Sequence, residues 1–178
     1  MHRAAPCRNV PVTFTLDISM TTAALQLFEG VLSRAFAELD VDPVPVYTFA
    51  LYHDHESEAV SVCVDTEENS RAVVAAINRY NAKYFLSEIK AGSLKGASLW
   101  QANVGRSLSL GDFARVNLAR TSLDGLVTDA GFYLEMGRAV CSAAQRVAAR
   151  SPDPSRVVFA CSGENDEVAL VWALPADA

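Results

Sequence analysis

Two histidines and two carboxylates stand side by side in the segment from His53 to Glu56. His53 and His55 are two residues apart, so both imidazoles would share one face of an extended strand. Two imidazoles with a carboxylate are a ligand set for zinc, nickel or non-haem iron. A solvated loop is the favoured alternative, because no third histidine or cysteine follows at a metal-ligand spacing. The metal hypothesis takes His53, His55 and a carboxylate such as Asp54 or Asp65 as ligands, and any general base would be one of the two histidines.

A second carboxylate cluster, Asp65, Glu67 and Glu68, follows a short alternating segment. Asp65 can accept hydrogen bonds from backbone N–H groups at the start of a helix, and Glu68 can reach back to complete a capping box. The alternative is a divalent-cation site or an acid–base pair. Capping is preferred because it already accounts for both side chains. A third cluster forms a predicted acidic turn, Glu164, Asp166 and Glu167.

Composition narrows the class of protein. The 178 residues are 51% hydrophobic and 20% charged, with a formal net charge of -6. These values exclude a disordered chain and argue against a nucleic-acid or membrane binder. The sequence contains no GxGxxG, GxSxG or Walker-type motif, so we expect no cofactor and lean against an enzyme. No secretory signal pattern is found, so a cytoplasmic location is expected. Three cysteines in apolar stretches are expected to be buried and reduced: Cys63, Cys141 and Cys161.

Hydrophobic periodicity predicts the elements that would position these residues. Helical spacing indicates helices near 20–40, 66–89 and 129–149, and a weaker one near 110–120. Alternation and apolar runs predict a strand-and-turn hairpin over 46–64 and a strand over 157–161. Residues 168–174 fit either a strand or a closing helix, and propensity favours the strand. The sum is one α+β domain over residues 1–178, with an antiparallel or mixed sheet of three to five strands packed by helices. Residues 10–16 read as a short strand or extended segment, and 1–11 as a candidate mobile N-terminal arm.

One stretch of the chain resembles a known bacterial family. The strand Tyr47–Tyr52 (YTFALY), followed by Asp54 and the helix-opening Asp65–Glu68 (DTEE), is similar to the domain-of-unknown-function family 4303. That family has a YxFALY-type strand and an NTEE-type motif, and Asp65 stands here where the family has Asn. Some of its members resemble immunity proteins that neutralise toxins of competing bacteria. The resemblance implies a binding surface and no catalytic residue, and it implies a helical final segment.

The resulting hypothesis is a non-catalytic protein-binding domain of toxin-immunity type, with a basic toxin-like partner. An acidic and aromatic face would steer and anchor that partner. Metal binding and self-association, for example as a homodimer, are the alternatives. The candidate binding residues are Asp54, Glu56, Glu58, Trp100, Glu164, Asp166 and Glu167.

Overall fold

The computed structural model describes residues 18–174 of the chain. The predicted N-terminal arm at 1–11 and the predicted extended segment at 10–16 lie outside the described residues. The described part is a single five-stranded mixed sheet with helices, which confirms the α+β class. In chain order the elements are α1 (Ile18–Val41), β1 (Thr48–Asp54), β2 (Ala59–Asp65), α2 (Glu67–Lys90), α3 (Leu94–Ala97), β3 (Arg115–Ser122), α4 (Ala130–Ala148), β4 (Val158–Cys161) and β5 (Leu170–Ala173).

The sheet has the strand order β3-β2-β1-β4-β5. β1 pairs antiparallel with β2 and parallel with β4, with Leu51 opposite both Val62 and Cys161. β3 and β5 are the edge strands, and each pairs antiparallel with its neighbour. The predicted hairpin of the first two strands is therefore confirmed, and β1 lies at the centre. Its apolar run is explained by this position, because both faces of a central strand are covered.

One face of the sheet packs against α1 and α4. Phe28 of α1 and Phe132 of α4 meet with ring centroids 5.0 Å apart, and the fully buried Phe49 and Phe159 line the sheet beneath. The predicted stripe of α4 enters this core, and Asp129 caps the helix by accepting from the backbone N–H of Phe132 at 3.0 Å. Each fully buried aromatic or aliphatic side chain here contributes roughly 1.5–3 kcal/mol.

The other face is covered by the irregular segment before β3. Leu110 and Phe113 pack on Ala50 and Cys63 in a second, smaller core cluster. The predicted helix near 110–120 is wrong, because the chain makes a 3-10 turn at Leu110–Asp112 and then enters β3. Phe113, Val116 and Ala119 are three residues apart, which is a spacing also found on one face of a helix. Asn117 has φ 54, and the β2–β3 register shifts between Val62 and Val64, so a bulged strand produces that spacing.

Four smaller expectations are settled by the structure. The 170–173 segment is a strand, as propensity indicated, and the helical ending implied by the family resemblance is wrong. β-branched Val171 and half-buried Trp172 suit pairing with β4. Cys63 and Cys161 are buried, but Cys141 is exposed because it lies on the solvent side of α4. Large aromatic side chains in a domain of this size are expected to be buried, but Tyr47 and Trp172 are each half-buried.

Helix α2 is present as predicted but is hardly part of the core. Ser70 is its one buried residue, and neither core cluster of the described residues contains an α2 side chain. Beyond Ser70 the helix packs on α3 and on the chain returning from it. We call residues 71–100 the helical arm. Gly92, with φ 75, ends α2: its amide donates to the carbonyl of Ile89, and the amide of Ser93 donates to the carbonyl of Glu88, as in a Schellman motif.

The start of α2 is tied to the sheet by the buried Asp65. Its Oδ1 accepts from the backbone N–H of Thr66 at 3.0 Å and from that of Ala114 at 3.1 Å. It also accepts from the side-chain amide of Asn69 at 2.7 Å. The helix cap itself is Thr66, whose hydroxyl accepts from the backbone N–H of Asn69. Asp65 was predicted as the cap, and it instead joins α2 to the segment that covers the second face.

Replacing Asp65 with Ala should destabilise the fold more than removing the cap. Asp65→Ala strips an acceptor from three donors and is expected to cost about 2–4 kcal/mol of unfolding free energy. Thr66→Ala removes one capping acceptor and should cost about 1 kcal/mol. Urea unfolding of both variants measures the difference. Equal losses would show that Asp65 does no more than cap.

Candidate binding site

Two acidic turns lie side by side at one end of the sheet. β1 and β4 run parallel, so the turn at 54–58 and the turn at 162–169 leave the sheet at the same end. The backbone N–H of His53 donates to Ser162 Oγ at 2.8 Å, and that hydroxyl donates to the carbonyl oxygen of Glu167 at 2.7 Å. The amide of Gly163 also donates to the carbonyl of Asp166 at 2.9 Å. We call these two turns the acidic end.

Most carboxylates of the acidic end face solvent without a counter-ion. Five of them are exposed and belong to none of the ion pairs found among the described residues: Glu56, Glu58, Glu164, Asp166 and Glu167. Asp54 differs, because its carboxylate accepts from Ser57 and pairs with Arg120 at 2.8 Å. The hydrogen bond from Ser57, followed by that from Arg120, lowers the pKa of Asp54 to about 2. Asp54 is thus committed to holding the turn, and the other five remain available to a partner.

The buried thiols of the sheet are not activated nucleophiles. Burial raises the pKa of the Cys63 thiol to about 11, and Glu167 adds to the shift. Burial likewise raises the pKa of Cys161 to about 11. The pKa of Tyr52 is raised by burial and then by Cys63 and Asp54. These groups are therefore protonated at neutral pH, and neither thiol is an activated thiolate.

A small polar cavity adjoins the acidic end. It has a volume of about 290 Å³ and is lined by His53, His55, Glu58 and the loop that precedes α4. His53 Nδ1 lies 2.9 Å from the hydroxyl of Tyr133, while its Nε2 is buried without a hydrogen-bond partner in the described residues. The His55 ring packs 4.2 Å from the His53 ring, centroid to centroid. Burial and the neighbouring His55 both lower the pKa of His53.

The predicted metal ligands are not brought together. His53 and His55 are neighbours, but Asp65 pairs with Thr48 at the other end of β1 from His53. Across residues 18–174, no group of three or more His, Cys, Asp or Glu side chains is arranged to hold a metal ion. The metal hypothesis is left with two imidazoles, one of which is buried.

The predicted binding residues fall in two separate places. Trp100 belongs to the helical arm, where its ring stacks on Tyr84 at 4.8 Å and meets Tyr80 edge-on at 5.9 Å. The six predicted carboxylates lie together at the acidic end, while the arm begins beyond Asp65 at the opposite end of β2. The ring contacts of Trp100 in the described residues are with the two tyrosines, and none of the six carboxylates is among them.

Sequence reasoning missed the apolar surface of the helical arm. Six of the thirteen exposed large apolar side chains in the described residues belong to the arm: Tyr80, Phe85, Leu86, Ile89, Leu94 and Leu99. A groove of about 370 Å³ runs beside them, lined by Ala82, Phe85 and Trp100 among others. The apolar stripe that predicts α2 would ordinarily face a core, but Ser70 is the buried residue of this helix. Periodicity shows that a helix has an apolar face but does not show whether anything covers that face.

The start of the arm is held by arginines that the sequence did not single out. Arg106 donates to the carbonyl of Tyr47 at 2.6 Å, and its guanidinium lies 3.8 Å from the centre of the Tyr47 ring. Arg156 pairs with Glu67, which raises the pKa of Arg156 and lowers that of Glu67. These contacts border a cavity of about 490 Å³. Both arginines find their partners within the chain, so they stabilise the region where α2 begins.

Comparison of the chain with protein-family models, with curated proteins and with solved structures gave no match. The resemblance of Tyr47–Glu68 to family 4303 therefore stays a prediction. Among the described residues, no helix is both long enough and apolar enough to span a membrane.

The shifted pKa of His53 gives a testable dependence of stability on pH. The folded protein binds a proton at His53 more weakly than the unfolded chain, whose histidines titrate near pH 6.5. The His53 contribution is therefore favourable above about pH 6.5 and is lost as the pH falls towards the folded pKa. Proton NMR titration should show His53 titrating below 6.5, and His53→Gln should flatten the loss of stability in that range. The His55→Gln variant serves to assign the two histidine signals. A His53 resonance that titrates above pH 6.5 would contradict the lowered pKa of His53.

Proposed function

We propose that this chain is a non-catalytic protein-binding domain whose acidic end docks a basic partner, as in toxin-immunity proteins. The observation that carries the proposal is the group of five exposed, unpaired carboxylates on two adjoining turns. The five negatively charged carboxylates repel one another in the free protein, and a bound basic surface offsets that repulsion. Long-range attraction between such surfaces accelerates association.

The fixed conformation of the two turns supports the same proposal. The hydrogen bonds from His53 to Ser162 and from Ser162 to Glu167 hold the turns in one arrangement. Asp54, Ser57 and Arg120 fix the hairpin turn in the same way. A surface that is ordered before binding loses little conformational entropy on binding. We also propose that the chain is related to family 4303 and that it is located in the cytoplasm.

The partner that tests the proposal is the protein encoded by the gene next to this one. Titration calorimetry of the two purified proteins should show one-to-one binding that weakens as salt increases. Glu164→Lys/Glu167→Lys should weaken binding about tenfold or more, because two attractions become repulsions.

The matched control is Glu38→Lys. Glu38 is exposed, belongs to no ion pair of the described residues and lies near the end of α1, just before the chain enters β1. It should leave binding unchanged apart from the small effect of net charge. A neighbouring protein that does not bind, or that binds the double variant as tightly as the wild type, would refute docking at the acidic end.

A further inference from the structure

The helical arm carries charge opposite to that of the acidic end. Between positions 79 and 95 stand four basic residues, Arg79, Lys83, Lys90 and Lys95, against one acidic residue, Glu88. The four basic side chains are exposed and form no ion pair among the described residues. The chain as a whole has a net charge of -6, so this basic stretch is a local reversal.

Of the large exposed apolar side chains of the arm, Phe85, Leu86 and Ile89 lie along one flank of α2. Ala75, Ala82 and Ile89 are seven residues apart, with Phe85 and Leu86 between the last two, which places all five on one side of the helix. Leu86 is 57% exposed and Ile89 is 43% exposed. Apolar side chains at this spacing, rimmed by charge, are typical of a surface that packs against another protein.

The acidic end has a matching mixture of side chains. Leu170 follows the second acidic turn directly, and exposed Val127 and Leu134 lie before and in the first turns of α4, which begins at the same end of the sheet. The arm thus offers apolar and basic groups, and the acidic end offers apolar and acidic groups. In the described residues, neither surface is covered by another part of the chain.

We propose that the helical arm binds the acidic end of a second copy of this chain. Charge complementarity selects this occupant, because two arms placed against each other would oppose their lysines. A pair related by a two-fold axis, in which each copy gives its arm and receives its partner's, makes the contact twice and closes. The contact uses the same acidic end as the proposed function, so the basic partner and the second copy compete for it.

Sedimentation velocity with a pair of charge-reversed variants tests this contact. The wild type should associate at low salt, and its dissociation constant should rise by about tenfold or more in roughly 0.5 M salt. Lys83→Glu/Lys90→Glu and Glu164→Lys/Glu167→Lys should each remain monomeric alone. Mixed together they should form a one-to-one complex, because each arm then meets an end of opposite charge. Leu86→Ser should weaken the wild-type association with little change in its salt dependence.

Three outcomes would overturn the contact. The first is a wild type that stays monomeric at every concentration in low salt. The second is an arm variant that associates as tightly as the wild type, which would indicate apolar pairing of two arms. The third is a mixture of the two variants that shows no complex although both unfold like the wild type. The arm variant keeps its acidic end, so its binding to the neighbouring gene's protein tests the proposed function separately.

Discussion

The parallel pairing of β1 with β4 determines which chemical groups meet in this protein. Parallel strands end at the same edge of a sheet, so the two acidic turns become neighbours although more than a hundred residues separate them. An antiparallel β4 would have placed Glu164–Glu167 beside Asp65 instead. α4 runs back along the sheet before β4 and therefore begins at the acidic end. Tyr133 in its first turn reaches His53 for that reason.

The same topology separates charge along the molecule. β2 runs away from the acidic end, and α2 starts where β2 finishes. The arm therefore begins at the end of the sheet opposite the carboxylates of the two turns. The net charge of -6 is an average over the whole chain and does not describe the local charge of the acidic end or of the arm. Because surface charges are screened beyond about 10 Å at 0.1 M salt, each region acts on a partner by its own local charge.

Local patterns in the sequence were sufficient for most elements. The apolar run of β1, the alternation of β2 and the stripe of α4 each report burial along one segment, and the structure confirms all three. Pairing between distant strands leaves no local pattern, so the meeting of His53 with Ser162 could not be predicted. β3 was missed because its bulge gives apolar side chains a helical spacing. For α2 the pattern predicted a helix, but its exposed face depends on what the rest of the chain leaves uncovered.

Contacts with the returning chain keep the exposed part of the arm helical rather than frayed. A helix that packs on no core is marginal in water from propensity alone. Here the returning chain supports it: Asn78 and Asn103 exchange two hydrogen bonds at 2.9 and 2.8 Å, and Asn81 donates to the carbonyl of Gln101 at 2.8 Å. Trp100 adds its stacking on Tyr84. These contacts run along Asn78, Asn81 and Tyr84, and Leu86 and Ile89 on the same helix remain exposed. Because Leu86 and Ile89 lie on a helix that is held in place before any contact forms, binding there loses less conformational entropy than binding by an unordered segment would.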